Sequence, residues 1–323
     1  MIPVLFGVTL ITFIISFVTV PNPVRAWTGP RATAGAIAAI EARYHLNAPV
    51  YVQYYYYMTN ILSGNWGTVP STGRPVLFDL EHFFPATAEL AIVAIIIAIV
   101  VGIPLGVLAA MYQGRTVDHA IRSFYLTAYS SPPFFVALGV ILLFGYVWRI
   151  FPTSGQLSQG MVFDANITGM VLVDSLLKGN IPIFLNALDH LVLPATALSL
   201  IYFGIVSRIT RASLLEVFQR DFIRASYAKG LRRRAVIFKH ALRNAMIPTV
   251  TVLGLLLAGL FGGSVVVETI FNWPGIGLYA YQSIQSFDFP SVMGVTLLLT
   301  ICVVFANLAA DILYAVLDPR IKV

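Results

Sequence analysis

Charge is scarce in this chain. Asp, Glu, Lys and Arg make up 11% of its 323 residues, where an ordinary soluble domain carries roughly a quarter. Apolar residues reach 58%, which excludes a pair of soluble domains and points to an all-α polytopic membrane protein. Cysteine is almost missing. Cys302 stands alone in an apolar run, so a disulfide framework or a CxxC metal site is excluded, and packing is its expected role. There is no G-x-x-x-x-G-K-[ST] stretch, and hence no P-loop to hold ATP. HExxH, GxSxG and an Asp/Glu dyad are also missing. The five histidines, His45, His82, His119, His190 and His240, are scattered over different segments. Nothing here supports an enzyme, a metal centre or a bound cofactor. The net charge of +6 would suit nucleic acid, but the excess is confined to one segment between apolar runs, as topology signals are.

What is present is a series of apolar runs, each about long enough to cross a bilayer. Residues 1–20 carry no charge and read as a retained first helix. The rival reading, a signal peptide, lacks a basic n-region, and Pro21-Asn22-Pro23 makes no small-residue cleavage site. The missing basic residues ahead of Pro3 are consistent with a start further upstream. Residues 21–86 form a mixed region with a short helix after Thr33 and the run YVQYYYYMTNIL. These tyrosines suit either a belt at the water–lipid interface or a surface that stacks on substrate. Further spans are expected at 87–112, 123–148, 190–210, 246–267 and 291–315. Gly102, Pro104 and Gly106 should loosen the second, and Pro132-Pro133 should kink or break the third, beside a translocation path or simply for packing. The region 149–189 reads as a near-neutral loop. Gly254, Gly259, Gly262 and Gly263 in the fifth span permit close helix contact. Few ionisable groups fall in spans. Glu89 lies near the start of the second, Glu268 just after the fifth, and Asp311 one turn beyond Asn307 on the same face of the sixth. Asn307 and Asp311 form either an interfacial pairing or a functional polar site. Mid-membrane carboxylates of the kind a proton-coupled carrier uses are lacking.

The exception to all this is Arg208–Arg243. It holds ten of the chain's twenty Lys and Arg: Arg208, Arg211, Arg220, Arg224, Lys229, Arg232, Arg233, Arg234, Lys239 and Arg243. Only Glu216 and Asp221 oppose them. With six spans, this segment, the loop 113–122 and the tail bearing Arg320 and Lys322 share one side, with both termini there. The positive-inside rule makes that side cytoplasmic. Asp221–Lys229 reads as a helix closed by Gly230 in the C′ position, followed by a second helix that re-enters the membrane near Pro248. The small side chains of Ala225 and Ala228 and the Gly230 corner suit a docking element, because another protein's backbone can approach them closely.

The segment RASYAKGLRRRAVIFKHALRNAMIP resembles the cytoplasmic EAA loop of type I ABC importer permeases in its dipeptide/oligopeptide form, which runs R-T-A-R-A-K-G-L and then H-A-L-R-N-A-x-I-P. The blocks IPVLFGVTLITF, GPRAT, TGRPV with PATAEL, GIPLGVLAA, RITRASLLEV, GGSVVVETIF with PGIG, and LYAVLDPRI are similar to family blocks in the same order. The likeness is to the B-type permease subunit and covers nearly the whole chain. Three features depart from the pattern. The basic residues before the first span are missing, Val20-Pro21-Asn22-Pro23 stands in place of P-G-D-P, and Arg224 replaces the glutamate of the general motif. The resemblance implies a first helix over 1–20, an extracytoplasmic region over 21–86, a type-1 transmembrane core over 87–317 with a coupling loop at 213–243, and a cytoplasmic tail at 318–323. It implies a second homologous permease in the inner membrane and two cytoplasmic ATPase subunits that hold ATP and magnesium. An extracytoplasmic binding protein would deliver the substrate. Asp221, Arg224, Ala225, Ala228 and Gly230 would then seat in an ATPase. Di- and oligopeptides are the expected cargo. Oligosaccharides are the alternative, and an ion-coupled carrier stands further off.

Overall fold

A computed structural model describes residues 2–18, 33–43, 45, 47–70 and 72–317. Among these the secondary structure is helical, apart from an isolated bridge between Thr68 and Pro75. In chain order, α1 is Ile2–Phe13, extended by a π-helical turn Ile14–Val18. Two shorter helices follow, α2 Ala34–Arg43 and α3 Val50–Leu62. Then come α4 Val76–Met111, α5 Thr116–Ser130 and α6 Pro133–Val140 with a π turn Ile141–Val147. After α7 Val171–Leu177 come α8 Ile181–Phe218 and α9 Asp221–Ala228. A continuous helix α10 spans Arg233–Phe271, and α11 Ile276–Gln285 and α12 Phe289–Leu317 complete the order.

Four helices, α4, α8, α10 and the first part of α12, are long and apolar enough to cross a membrane. The bent pair α5–α6 passes the same test only when its halves are taken together, as a broken span or a re-entrant hairpin, and α1 supplies a shorter apolar helix. Pro132-Pro133 breaks the third expected span, as the sequence requires. Ser131 is pushed to an extended ψ of 138° by the proline that follows it, and Pro133 opens α6, where a missing N–H costs nothing. The two halves meet at 112°.

Other expectations shift. The second span begins at Val76, well before 87, and runs unbroken through Pro85 and Pro104. Gly102 and Gly106 do not loosen it. They are the seam on which α8 lies. A Cβ at 106 would sit 2.7 Å from the Ser207 carbonyl oxygen, and one at 102 would sit 2.9 Å from that of Phe203. Small residues let membrane helices approach this closely. The expected loop 149–189 contains α7 and the start of α8. The helix expected after Gly230 and the fifth span are one continuous helix. It starts as a helix at Arg233 and passes through Pro248, with a π turn Val236–Ala241. Within it Gly254 packs on Ala310 of α12, while Gly262 faces open space.

Three hydrophobic clusters set the directions of the helices. The central one joins α4, α5, α6, α8 and α10 through Leu90, Ala94, Tyr125, Ala137, Leu198, Phe203 and Leu260. At one end Val107 and Ala110 of α4 meet Leu214 and Val217 of α8, Ile223 of α9, and Val236, Ile237 and Ala245 of α10. At the other end Val76 and Leu80 of α4 meet Ile276 and Tyr279 of α11, Val295 of α12 and Val69. The first end carries the arginine-rich segment and is called the basic end below; the second is the far end.

Candidate functional site

At the basic end, α9 is a two-turn bracket. Its inner face buries Ile223 and Ser226 against the joint cluster of α4, α8 and α10. Asp221, Phe222, Arg224, Ala225, Tyr227, Ala228 and Lys229 are exposed. The helix stops for a local reason. Gly230 adopts φ +76°, which only glycine takes up without strain. Its N–H donates to the Tyr227 carbonyl (2.9 Å), and the Leu231 N–H donates to that of Ser226 (3.4 Å). This pairing is a Schellman ending, which satisfies two of the last carbonyls. All five residues singled out from the sequence therefore lie on one exposed bracket: Asp221 on its first turn, Arg224, Ala225 and Ala228 along it, and Gly230 at its corner. Asp221 and Arg224 are 3.8 Å apart and nearly fully exposed, a pairing that contributes little by itself.

The helices around the bracket are tied to one another by charge as well as by packing. Arg211 of α8 donates from Nε and Nη2 to the two carboxylate oxygens of buried Asp118 on α5, both at 2.8 Å. The Gly114 N–H completes the carboxylate at 3.0 Å. Arg233 donates to the Met111 carbonyl at the end of α4 (3.3 Å), where a cation opposes the helix dipole. Two of the basic residues thus hold helices together as well as supplying charge.

The sequence shows Glu89 and Glu268 as charges but gives the groups at the far end no partners. Glu268, at the end of α10, is fully buried. Its Oε1 accepts from the Thr87 hydroxyl (2.8 Å), and its Oε2 accepts from the N–H groups of Gly277 (2.6 Å) and Leu278 (3.2 Å). Thr87 in turn accepts from the Ile276 N–H (2.8 Å). One carboxylate thus caps the first turn of α11 and ties it to α4 and α10. Gly275 is required beside it, since a Cβ there would lie 2.5 Å from Oε2. Trp273 fills the same corner and donates from Nε1 to the Ala86 carbonyl (2.9 Å). Glu89 accepts from Gln156 (2.9 Å) and from the Leu172 N–H (2.6 Å), which holds the segment after α6 against α4.

A second network joins two aspartates that lie far apart in sequence. Arg74 pairs with buried Asp79 at 3.2 Å. The Tyr279 hydroxyl lies 3.3 Å from Asp79 and 2.7 Å from Ser291, and Ser291 donates to Asp288 at 2.6 Å. Burial raises the Asp288 pKa, and the charge of Asp79 adds to that, against the two hydrogen bonds from Ser291. Asn307 is half-buried on α12. The side chain of Asp311 lies outside the described residues, so its pairing with Asn307 is not placed.

Asp174, on α7 at the far end, shows the opposite shift. Burial pushes its pKa up, but hydrogen bonds from the Thr168 hydroxyl and the N–H groups of Ile167, Thr168 and Gly169 outweigh it, so the value falls below the ordinary 3.8. A depressed carboxylate gives stability that is present above its unfolded pKa and lost as pH falls through the folded value. The turn 167–170 is therefore expected to be held at neutral pH and to open only below about pH 4. In Asp174→Asn it should be loose at pH 7. Hydrogen exchange of the Ile167 and Thr168 amides against pH checks this, and unchanged protection in the variant would refute it.

Comparison with known proteins gives these features a family. Residues 102–323 match the family described as "Binding-protein-dependent transport system inner membrane component". Residues 1–78 match its companion, "Binding-prot-dependent transport system membrane comp, N-term". The chain is 44% identical over 318 residues to the probable D,D-dipeptide transport system permease protein DdpB of Escherichia coli K12, covering 98% of this chain and 94% of that protein. It is 40% identical to the dipeptide transport system permease protein DppB of the same organism, covering 99% and 96%. It is 34% identical to the oligopeptide transport system permease protein AppB of Bacillus subtilis 168, covering 99% and 96%. In fold it is similar to a chain of the inward-facing MetNI methionine ABC transporter, with a TM-score of 0.51 at 18% identity, covering 72% of this chain and 93% of that one. The chain is a multi-pass membrane protein that belongs to the family of binding-protein-dependent transport system inner membrane components.

Proposed function

We propose that this chain is the permease subunit of an ATP-driven importer of di- and oligopeptides. It pairs with a second homologous permease and lines the path with it. Two cytoplasmic ATPase subunits supply ATP and magnesium, and an extracytoplasmic binding protein delivers the peptide. The chain itself takes no cofactor. The basic end is cytoplasmic, with both termini on that side, because Arg and Lys collect there. Peptide as cargo is supported by the names of the relatives, which are dipeptide and oligopeptide permeases.

The observation that carries the coupling half of this reading is the seat of α9. A short exposed bracket rests on a cluster shared by α4, α8 and α10. A push on Ala225, Ala228 or the Gly230 corner is therefore delivered to three spans together. Packed helices respond by shifting between discrete arrangements rather than by bending continuously. ATP can drive transport only if the ATPases bind those arrangements unequally. Uptake of labelled dipeptide into proteoliposomes holding all the subunits tests the function. Accumulation that needs both ATP and the binding protein is expected. Uptake by this chain alone under an ion gradient would overturn it.

A further inference from the structure

The tyrosine run of α3 is divided by its helical turns. Tyr54 turns inward onto α1, with its hydroxyl 3.0 Å from that of Thr9 and its ring edge-on to Phe6 and Phe13. Tyr51 and Tyr55 point away and are 76% and 64% exposed, as interfacial belt residues are. The third face, Gln53, Tyr56, Tyr57 and Asn60, follows helical spacing and lines a far-end cavity of about 350 Å³. Trp66, Asn65 and the start of α12 at Pro290 and Met293 form its other walls.

The chemistry of this cavity is specific. The His45 ring stacks on Tyr56 with centroids 3.8 Å apart, which leaves an aromatic rim. Three side-chain amides, of Gln53, Asn60 and Asn65, lie among the rings, and among the described residues no carboxylate, Lys or Arg lines the space. The Gln53 amide is oriented by the Ala48 carbonyl (2.8 Å). The α12 wall is fixed from behind, since Asp288 accepts from both the N–H and the hydroxyl of Ser291, at 3.2 and 2.6 Å. The walls are thus held in place, and the volume falls at the small end of the range of roughly 300–1,000 Å³ for small-molecule sites. Aromatic walls with interspersed amides suit an apolar or aromatic side chain beside a peptide group, the same pairing that antibody loops use. A charged peptide terminus would lose its hydration there without gaining a partner.

Resting on the peptide reading above, we infer that this cavity is an entry subsite for the side chain of the arriving peptide and favours aromatic residues over small ones. The rim Tyr56 stacks on the incoming ring, and the Asn60 amide meets the adjacent peptide group. The permease then adds a selectivity of its own to that of the binding protein.

The test is competition uptake in the fully assembled transporter, with Ala-Phe and Ala-Ala supplied together by the same binding protein. Tyr56→Ala should lower the ratio of Ala-Phe to Ala-Ala uptake by roughly 2–10-fold, the range for aromatic pairing, whereas Asn60→Ala loses a hydrogen bond that both peptides share and should lower both uptakes alike. Tyr55→Ala, which points away, should leave the ratio at its wild-type value. An unchanged ratio in Tyr56→Ala overturns the subsite, whether total uptake holds or falls; an equal fall for both peptides in that variant would mean that the cavity serves folding or binding-protein docking. A wild-type complex that carries neither peptide overturns the peptide reading itself, and the subsite falls with it.

Discussion

Ala225→Glu should abolish peptide uptake while the chain still inserts and the ATPases still turn over. Ala225 lies on the exposed face of α9, so glutamate there costs the chain's own fold little. At a docked surface the same change places a long charged side chain where only a methyl group fits. Central positions of this kind contribute about 2 kcal/mol or more, so docking should weaken roughly 30-fold. Gly230→Glu should act in the same direction by another route. No atom crowds a Cβ at 230, but φ +76° adds about 1–2 kcal/mol of backbone strain for a residue with a Cβ, and the corner turns away. ATP hydrolysis measured beside uptake should show the two uncoupled. Normal uptake by both variants would rule out the bracket as the docking element.

The second large effect belongs to Glu268. In Glu268→Ala the Thr87 hydroxyl and the Gly277 and Leu278 N–H groups lose their acceptor inside a buried corner. Each orphaned donor costs about 1–3 kcal/mol, so a total of at least about 3 kcal/mol is expected. That is a large fraction of the stability of most domains. Glu268→Gln keeps one acceptor oxygen and should fall between alanine and the wild type. The thermal midpoint of the detergent-solubilised chain measures this order. A midpoint for Glu268→Ala within a degree or two of wild type would show that the carboxylate does not hold the corner. Gly275→Ala should be damaging too, because its Cβ would meet Thr87 Oγ1 and Glu268 Oε2, each at 2.5 Å.

The contrast between these two sites shows what a sequence can disclose. Gly230 was legible because the end of a helix is decided locally, by one residue that tolerates positive φ and by carbonyls three or four residues back. The break at Pro132-Pro133 was legible for the same reason. Glu268 was visible only as a charge after an apolar run. Its partner Thr87 lies 181 residues away in sequence, and no local pattern connects them. Asp79 and Asp288 are joined through Tyr279 and Ser291 by the same kind of long-range closure. Gly102 and Gly106 were misread because one letter serves two purposes. A glycine beside a proline suggests looseness, yet here the missing Cβ admits the backbone of α8. The four-tyrosine run stayed ambiguous because belt, packing and cavity faces alternate within single turns. Only the positions of α1 and α12 separate them.

The most direct test of the central claim, that ATP-derived force enters at the bracket of α9, uses the scarcity of cysteine. Cys302 is the chain's single cysteine, so Cys302→Ser gives a clean background for Ala225→Cys. In the assembled transporter, a short bifunctional thiol reagent should link residue 225 to an ATPase subunit, and the linked complex should lose ATP-driven uptake. A cysteine at Phe163, at the far end, should give no such link. If Ala225→Cys fails to link while uptake remains ATP-driven, the force enters elsewhere and the account is wrong.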